Sequence, residues 1–250
     1  MKKDKKIKIL FRHRSMEMGG VEKVMLSLLN NLDREKFEMT VLLNLNQGEL
    51  RNEIPVHVRK VYLTKGKEDF SKNPVIQKFQ LLKRRNQLEN FGKNPEIIDK
   101  KILKDTYDIE IAMTYNDFEA VLNSSNKNSK KIAWFHSEIN AKGFEPLIPP
   151  ILNQFPKFDY IIYCSQRIYD IMHETYPNLK YPEERVIINA IPIEEIKAKA
   201  CFDTVNFRDE NPTFISIGRL HYRKGYHTLI QAHVRLLKEG FKHKIYIIGD

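Results

Sequence analysis

Cysteine is all but absent from this sequence: two residues, Cys164 and Cys201, stand among 250. That excludes a disulfide framework and a thiolate metal cluster, and it fits a reducing compartment. No CxxC and no His-x-x-x-His occurs, and no Ser-His-Asp order stands out, so zinc chemistry and nucleophilic hydrolysis have no support. Long apolar runs are missing too. None approaches the roughly 20 residues of a membrane-spanning helix. The N-terminal "MKKDKK" is basic, but the "IKILF" after it is too short and interrupted for a secretory signal. The sequence reads as cytoplasmic, with attachment to a membrane surface left open.

What is present is ordinary globular composition with an excess of positive charge. Apolar residues make up 42% and charged residues 30%, and 42 Lys+Arg against 32 Asp+Glu give a formal charge of +10. An anionic partner follows, whether nucleic acid, a membrane surface or a phosphorylated small molecule. Short apolar runs at 7–13, 38–45, 56–63, 108–114, 131–136, 160–164 and 185–189 read as strands. Helical patterns at 21–32, 75–91, 95–104, 116–123, 147–155 and 165–176 alternate with them. Nearly continuous apolar strands spaced by helices predict an α/β fold with a parallel sheet covered on both faces. A polar stretch follows, and then a second series: strand 213–217, helix 225–239, strand 244–248. The expected division is a first parallel-sheet domain over 1–191, with linker and second domain over 192–250. One strand–helix–strand unit cannot bury a core alone, so the chain is expected to be a piece of something longer.

Four loops could carry chemistry. Gly19-Gly20 turns the first strand into a helix, where backbone N–H groups can approach a phosphate; a plain tight turn is the alternative. No G-x-G-x-x-G is present, and the second strand ends in Asn44-Leu45-Asn46 without an acid to hold a ribose, which argues against a nicotinamide dehydrogenase. His136 ends the strand "KIAWFH", where parallel sheets bind ligands, although a solvated loop histidine fits as well. Asn189 could cap the segment that follows. The turn "GRLHYRKG" puts Gly218, Arg219, Arg223 and Lys224 ahead of a helix. A guanidinium fork and an ammonium converging there would suit a diphosphate, and a solvated basic loop is the alternative. Residues 65–104 carry eleven Lys/Arg against five Asp/Glu. Within them Val75, Phe79 and Leu82 fall at helical spacing among Lys78, Lys83, Arg84 and Arg85, as on a helix lying on anionic lipid or on an ordinary surface helix.

Taken in order, "MGGVEK", "AWFHS", "YCSQ", "VIINAIPIEEI", "ISIGRLHYRKGYHTLIQA" and "IYIIGD" resemble family 4 glycosyltransferases, retaining enzymes of the two-Rossmann-domain GT-B fold. The similarity runs over nearly the whole chain and is most specific in "GRL…KG…LI.A…IIGD". It implies that Gly19 and Gly20 approach the donor phosphate or sugar, and that His136 faces the sugar. Arg219 and Lys224 would bind the donor diphosphate and offset charge on the leaving nucleotide, Gly218 would lie at the same site, and Gly249 would begin the next nucleotide-side loop. It further implies a nucleotide-sugar donor, a glycan or lipid-linked acceptor, a role in cell-surface polysaccharide synthesis, an anionic membrane surface as partner, and no metal, cofactor or nucleic acid. Two departures stand out. Asn189-Ala190-Ile191 replaces Asn-Gly-Ile, and the family's pair of glutamates separated by seven residues would lie past Asp250, so the 250 residues are expected to be inactive alone. Two other classes remain: a basic nucleic-acid-binding α/β protein, and a non-catalytic sugar-nucleotide- or membrane-binding fragment.

Overall fold

Seven of the apolar runs become seven parallel strands: β1 (Ile7–His13), β2 (Phe37–Asn46), β3 (Arg59–Lys65), β4 (Ile109–Ala112), β5 (Lys130–Phe135), β6 (Tyr160–Tyr163) and β7 (Glu183–Val186). The structure, a computed structural model, describes residues 5–141, 143–201 and 211–249. The strand order is β3-β2-β1-β4-β5-β6-β7, every pairing parallel. The chain winds outward from β1 in one direction and resumes from β4 in the other. The reversal leaves a crevice between the carboxyl ends of β1 and β4.

The strands read as unbroken apolar runs because both faces are covered. From β1 and β2, Ile9, Phe11, Val41 and Leu43 pack with Met25 and Leu29 of helix α1 (Gly20–Asn31). Leu10 and Leu42 point the other way and meet Ile98, Leu103 and Tyr107. Beyond the crevice, Ala133, Phe135, Ile161 and Tyr163 pack with Phe118, Phe155, Ile171 and Met172. These last come from α4 (Phe118–Leu122), from the turn after α5 (Ile148–Gln154) and from α6 (Gln166–Thr175). Each fully buried side chain of this size contributes roughly 1.5–3 kcal/mol, so the cores on the two sides of one sheet hold the site's scaffold.

Several elements differ from the sequence reading. The third strand begins at Arg59 rather than Val56, because Pro55 starts a turn closed by Val58 N–H to Pro55 O at 2.9 Å, which leaves Val56 fully in solvent. Helix α2 spans Pro74–Lys93, with Asn73 capping it through bonds from Val75 and Ile76 N–H. The helix expected over 95–104 is a short α3 (Pro95–Ile97) running into a π turn, Ile98–Leu103, which stops at Lys104 with φ 53°. Strand β7 begins two residues early and its ladder continues only through Ile187 N–H to Tyr163 O.

The chain divides into two compact units, Met1–Pro192 and Ile193–Asp250. The polar stretch expected as linker contains helix α7 (Ile193–Ala200), and its residues 202–210 lie outside those described. In the second unit β8 (Thr213–Ile217) pairs parallel with β9 (Lys244–Ile248) in a separate sheet, connected through α8 (Tyr226–Lys238).

Candidate functional site

In the first unit, the carboxyl ends of the strands gather polar groups that the apolar strands otherwise lack. His13, the last residue of β1, is buried on the α1 side with Phe11 beneath it. Its Nε2 donates to Glu22 Oε1 at 3.0 Å, in the first turn of α1. Its Nδ1 lies 3.5 Å from Asp117 Oδ2, just past β4, and that carboxylate also accepts from Thr114 Oγ1 at 2.8 Å. At 3.5 Å the Asp117 contact is an ion pair rather than a well-formed hydrogen bond, so Glu22 orients the ring. Burial alone would lower the pKa of His13. The hydrogen bonds and charges of Asp117 and Glu22 outweigh it and raise the pKa to about 9.

His136 follows β5 and stacks on Trp134, ring centroids 5.8 Å apart and 7° from parallel. Its Nε2 is buried and has no partner among the described residues. Burial, and then the positive charge of His13, lower its pKa to about 4, so the ring is neutral at physiological pH. A neutral imidazole with an open nitrogen can exchange a hydrogen bond with a ligand hydroxyl.

Gly19 precedes α1 in an extended conformation, φ −160° and ψ 165°, that any residue could adopt. A Cβ there would stand 2.3 Å from Glu22 Oε2, so a side chain at this position would displace that flexible carboxylate. Gly20 meets nothing within 4 Å of a Cβ, and no side chain caps α1, so the first-turn amides stay open. The loop leading to Gly19 is pinned on its other side. Met16 N–H donates to Gln47 O at 2.9 Å, Met18 N–H to Glu49 Oε2 at 2.9 Å, and Gln47 Nε2 to Glu17 Oε1 at 2.9 Å. Glu17 also accepts from Ser15. Gly48, at φ 100°, lets that neighbouring loop come close, since a Cβ would meet the Met16 carbonyl at 2.2 Å.

In the second unit, Gly218 and Gly249 meet at the ends of β8 and β9, and Arg219 and Lys224 follow in the turn that leads to α8. Gly218 N–H donates to Ile248 O at 2.9 Å, and Tyr226 OH to Gly218 O at 2.9 Å. A Cβ on Gly249 would fall 1.9 Å from Gly218 O, backbone against backbone, so this crossing tolerates only glycine. Arg219 and Lys224 flank a tight turn closed by Lys224 N–H to His221 O at 2.8 Å. Gly225, left-handed at φ 73°, then starts α8. Both cations are exposed, and among the described residues neither forms a salt bridge. The side chain of Arg223 lies outside the described residues.

Of the residues singled out from sequence, His136 and the Gly19-Gly20 loop share the first unit's crevice, and Gly218, Arg219, Lys224 and Gly249 share the second unit's loop pair. His13, Glu22 and Asp117 were missed. A signal existed: Arg12 and His13 are two basic residues ending an apolar strand buried on both faces, and such residues need partners.

No protein-family profile matches the chain, and no curated protein does. Solved structures do. Anabaena HepE, in complex with UDP and glucose, is 15% identical with a TM-score of 0.58, over 97% of this chain and 69% of that one. Staphylococcus aureus TarM, in a complex that includes UDP, is 11% identical with a TM-score of 0.62, over 98% and 73%. A trehalose-6-phosphate synthase is 14% identical with a TM-score of 0.58, over 96% and 63%. The fold is of the GT-B type. At these identities the likeness concerns fold, and the chain spans 63–73% of the length of these three structures.

Proposed function

We propose that this chain serves a nucleotide-sugar-dependent glycosyltransferase of family 4 type, moving a hexose to a glycan or lipid-linked acceptor with retention of configuration. The observation that carries the reading is the β8–α8 turn: Arg219 and Lys224, exposed and unpaired among the described residues, flank the entry to a helix on a GT-B fold. The similar structures support the donor class, because their complexes hold UDP with glucose, or UDP with fondaparinux and alpha-GlcNAc-glycerol. Retention is supported by the similar synthase, studied for glycosyl transfer with retention. In this reading Arg219 and Lys224 bind the diphosphate and stabilise the charge that grows on the leaving nucleotide, while His136 offers its open nitrogen to a sugar hydroxyl. Gly19, Gly20, Gly218 and Gly249 allow backbone to approach the donor. No metal is called on.

Titration with UDP followed by calorimetry tests this. Saturable binding is expected, weakened roughly tenfold to a hundredfold by Arg219→Ala and by Lys224→Ala, since a charge-assisted phosphate contact is worth about 1.5–3 kcal/mol. Arg223→Ala should do much less. An Arg223→Ala loss as large as the other two would make the loop a diffuse basic surface and sink the assignment. Salt-dependent DNA binding without UDP binding would favour the nucleic-acid reading.

The acceptor side adds a membrane surface. Among the described residues no helix is long and apolar enough to cross a membrane. Helix α2, however, exposes Val75, Ile76, Phe79 and Leu82 beside Lys78 and Lys83, a face suited to anionic lipid on the cytoplasmic side. That position would bring the chain to a lipid-linked acceptor.

A further inference from the structure

Three carboxylates, Glu17, Glu22 and Asp117, crowd the loop that the proposed function assigns to a doubly charged donor. Glu17 is turned aside into Ser15 and Gln47. Glu22 and Asp117 instead converge on one group, the ring of His13, from α1 and from the turn after β4. We infer that His13 is a positioning residue: bridged to Glu22 and Asp117, it fixes the first turn of α1 against the end of β4 and holds both carboxylates off the donor's phosphates. The inference rests on the glycosyl-transfer reading for what binds, but not for the geometry of the bridge.

The geometry has three parts. The ring is almost fully buried at the crevice floor, and both nitrogens face carboxylates: Nε2 donates to Glu22, and Nδ1 stands 3.5 Å from Asp117 as an ion pair. The Glu22 carboxylate reaches it only by folding back over Gly19, in the space a side chain at that position would take. Thr114 holds the second carboxylate from behind. The remaining ionisable group near the ring is His136, just past β5, which burial first and then the His13 charge keep neutral. The bridge therefore has two effects on the crevice. It offsets one of the two negative charges that would otherwise repel a diphosphate, and its positive charge adds to burial in keeping His136 a neutral hydrogen-bond partner.

The test uses the full chain and UDP, with the imidazole signals of His13 and His136 followed by nitrogen-15 NMR. In the wild type the His13 ring should be doubly protonated at pH 7.5. Glu22→Gln, which keeps the shape of the side chain, should move its titration down by a unit or more, and Gly19→Ala should do the same by displacing that carboxylate. By calorimetry at pH 7.5, His13→Gln should weaken UDP binding about tenfold. His13→Gln combined with Glu22→Gln should recover most of that loss, which a merely structural role for His13 would not produce. A neutral His13 ring at pH 7.5 in the wild type overturns the bridge. UDP affinity unchanged by His13→Gln, or a double variant no better than the single, overturns its part in donor binding. If the wild type binds no UDP, the functional reading falls and takes the donor part of this inference with it, while a doubly protonated ring would still support the bridge.

Discussion

His13 and His136 stand one strand apart at the same end of the sheet and are perturbed in opposite directions, which gives the folded chain a pH signature. His13 keeps its proton to about pH 9 when folded and loses it near its ordinary value of 6.5 when unfolded. Its stabilisation is therefore complete below about pH 6.5 and is lost as pH rises through 9. His136 is neutral down to about pH 4 when folded, so unfolding lets it take up a proton, and stability falls as pH drops from 6.5 toward 4. Each shift corresponds to roughly 3 kcal/mol, and together they place the maximum near pH 6.5. Urea midpoints measured from pH 5 to 9.5 should show this dome. His13→Gln should flatten the alkaline limb and His136→Asn the acid one; limbs unchanged in both variants would refute the assignment. His136 was legible as the polar end of its strand and Arg12-His13 as a basic pair needing partners, but which carboxylates meet His13 was not. The three members of the bridge come from β1, α1 and the turn after β4, and no spacing rule connects them.

Elements were more legible than residues, for a physical reason. Strands buried on both faces leave unbroken apolar runs, and most of their positions could be read directly. Where tertiary packing is thin the reading slipped. Helix α7 falls in the stretch expected as linker because its apolar face is only Ile193 and Ile196 over eight residues, both left exposed. Helix α2 is apolar on two sides: Phe91 meets the core with Leu10 and Leu42, while Val75, Phe79 and Leu82 face solvent. Its cations are unequal as well. Arg84 lies 5.2 Å over the Phe70 ring and Arg85 pairs with Glu89 at 2.9 Å, whereas Lys78 and Lys83 form no salt bridge among the described residues. Membrane binding, if α2 carries it, should depend on Lys78, Lys83 and Phe79 more than on Arg84 and Arg85. Phe79→Ser with Lys83→Glu should weaken sedimentation with phosphatidylserine vesicles at least tenfold at low salt, while Arg85→Glu changes it little. Equal effects from both variants would reduce the role of α2 to net charge.

At the scale of the whole molecule the two units are unequal in how they are held. Every buried hydrophobic residue among those described belongs to the first unit, whose seven strands are packed on both faces. In the second, Ile215, Ile217, Phe214 and Ile248 remain substantially exposed on a two-stranded sheet, and His243 is its buried side chain. Two strands and a helix fall short of a self-sufficient core, so the stability of the chain resides in the first unit. Residues 1–192 alone should unfold in one cooperative transition, with a midpoint within a few degrees of the main transition of the 250-residue chain. The second unit should open first, seen as early amide exchange in β8 and β9 and as protease cleavage after Arg219 or Lys224 under conditions that spare the first. Calorimetry and hydrogen exchange on both polypeptides measure this. Failure of residues 1–192 to fold would mean that the first sheet depends on the second unit. Protection of β8 and β9 equal to that of β1 and β2 would mean that the second unit is held by more than its own packing. Either outcome would reassign the stability now placed in the seven-stranded sheet. The expected outcome has a functional corollary: the Arg219–Lys224 turn belongs to the softer unit, while the crevice of His13 and His136 is built into the stiff one. Binding UDP should therefore raise exchange protection chiefly in β8, β9 and the first turns of α8 and α1, and leave the already stiff β1 and β5 nearly unchanged.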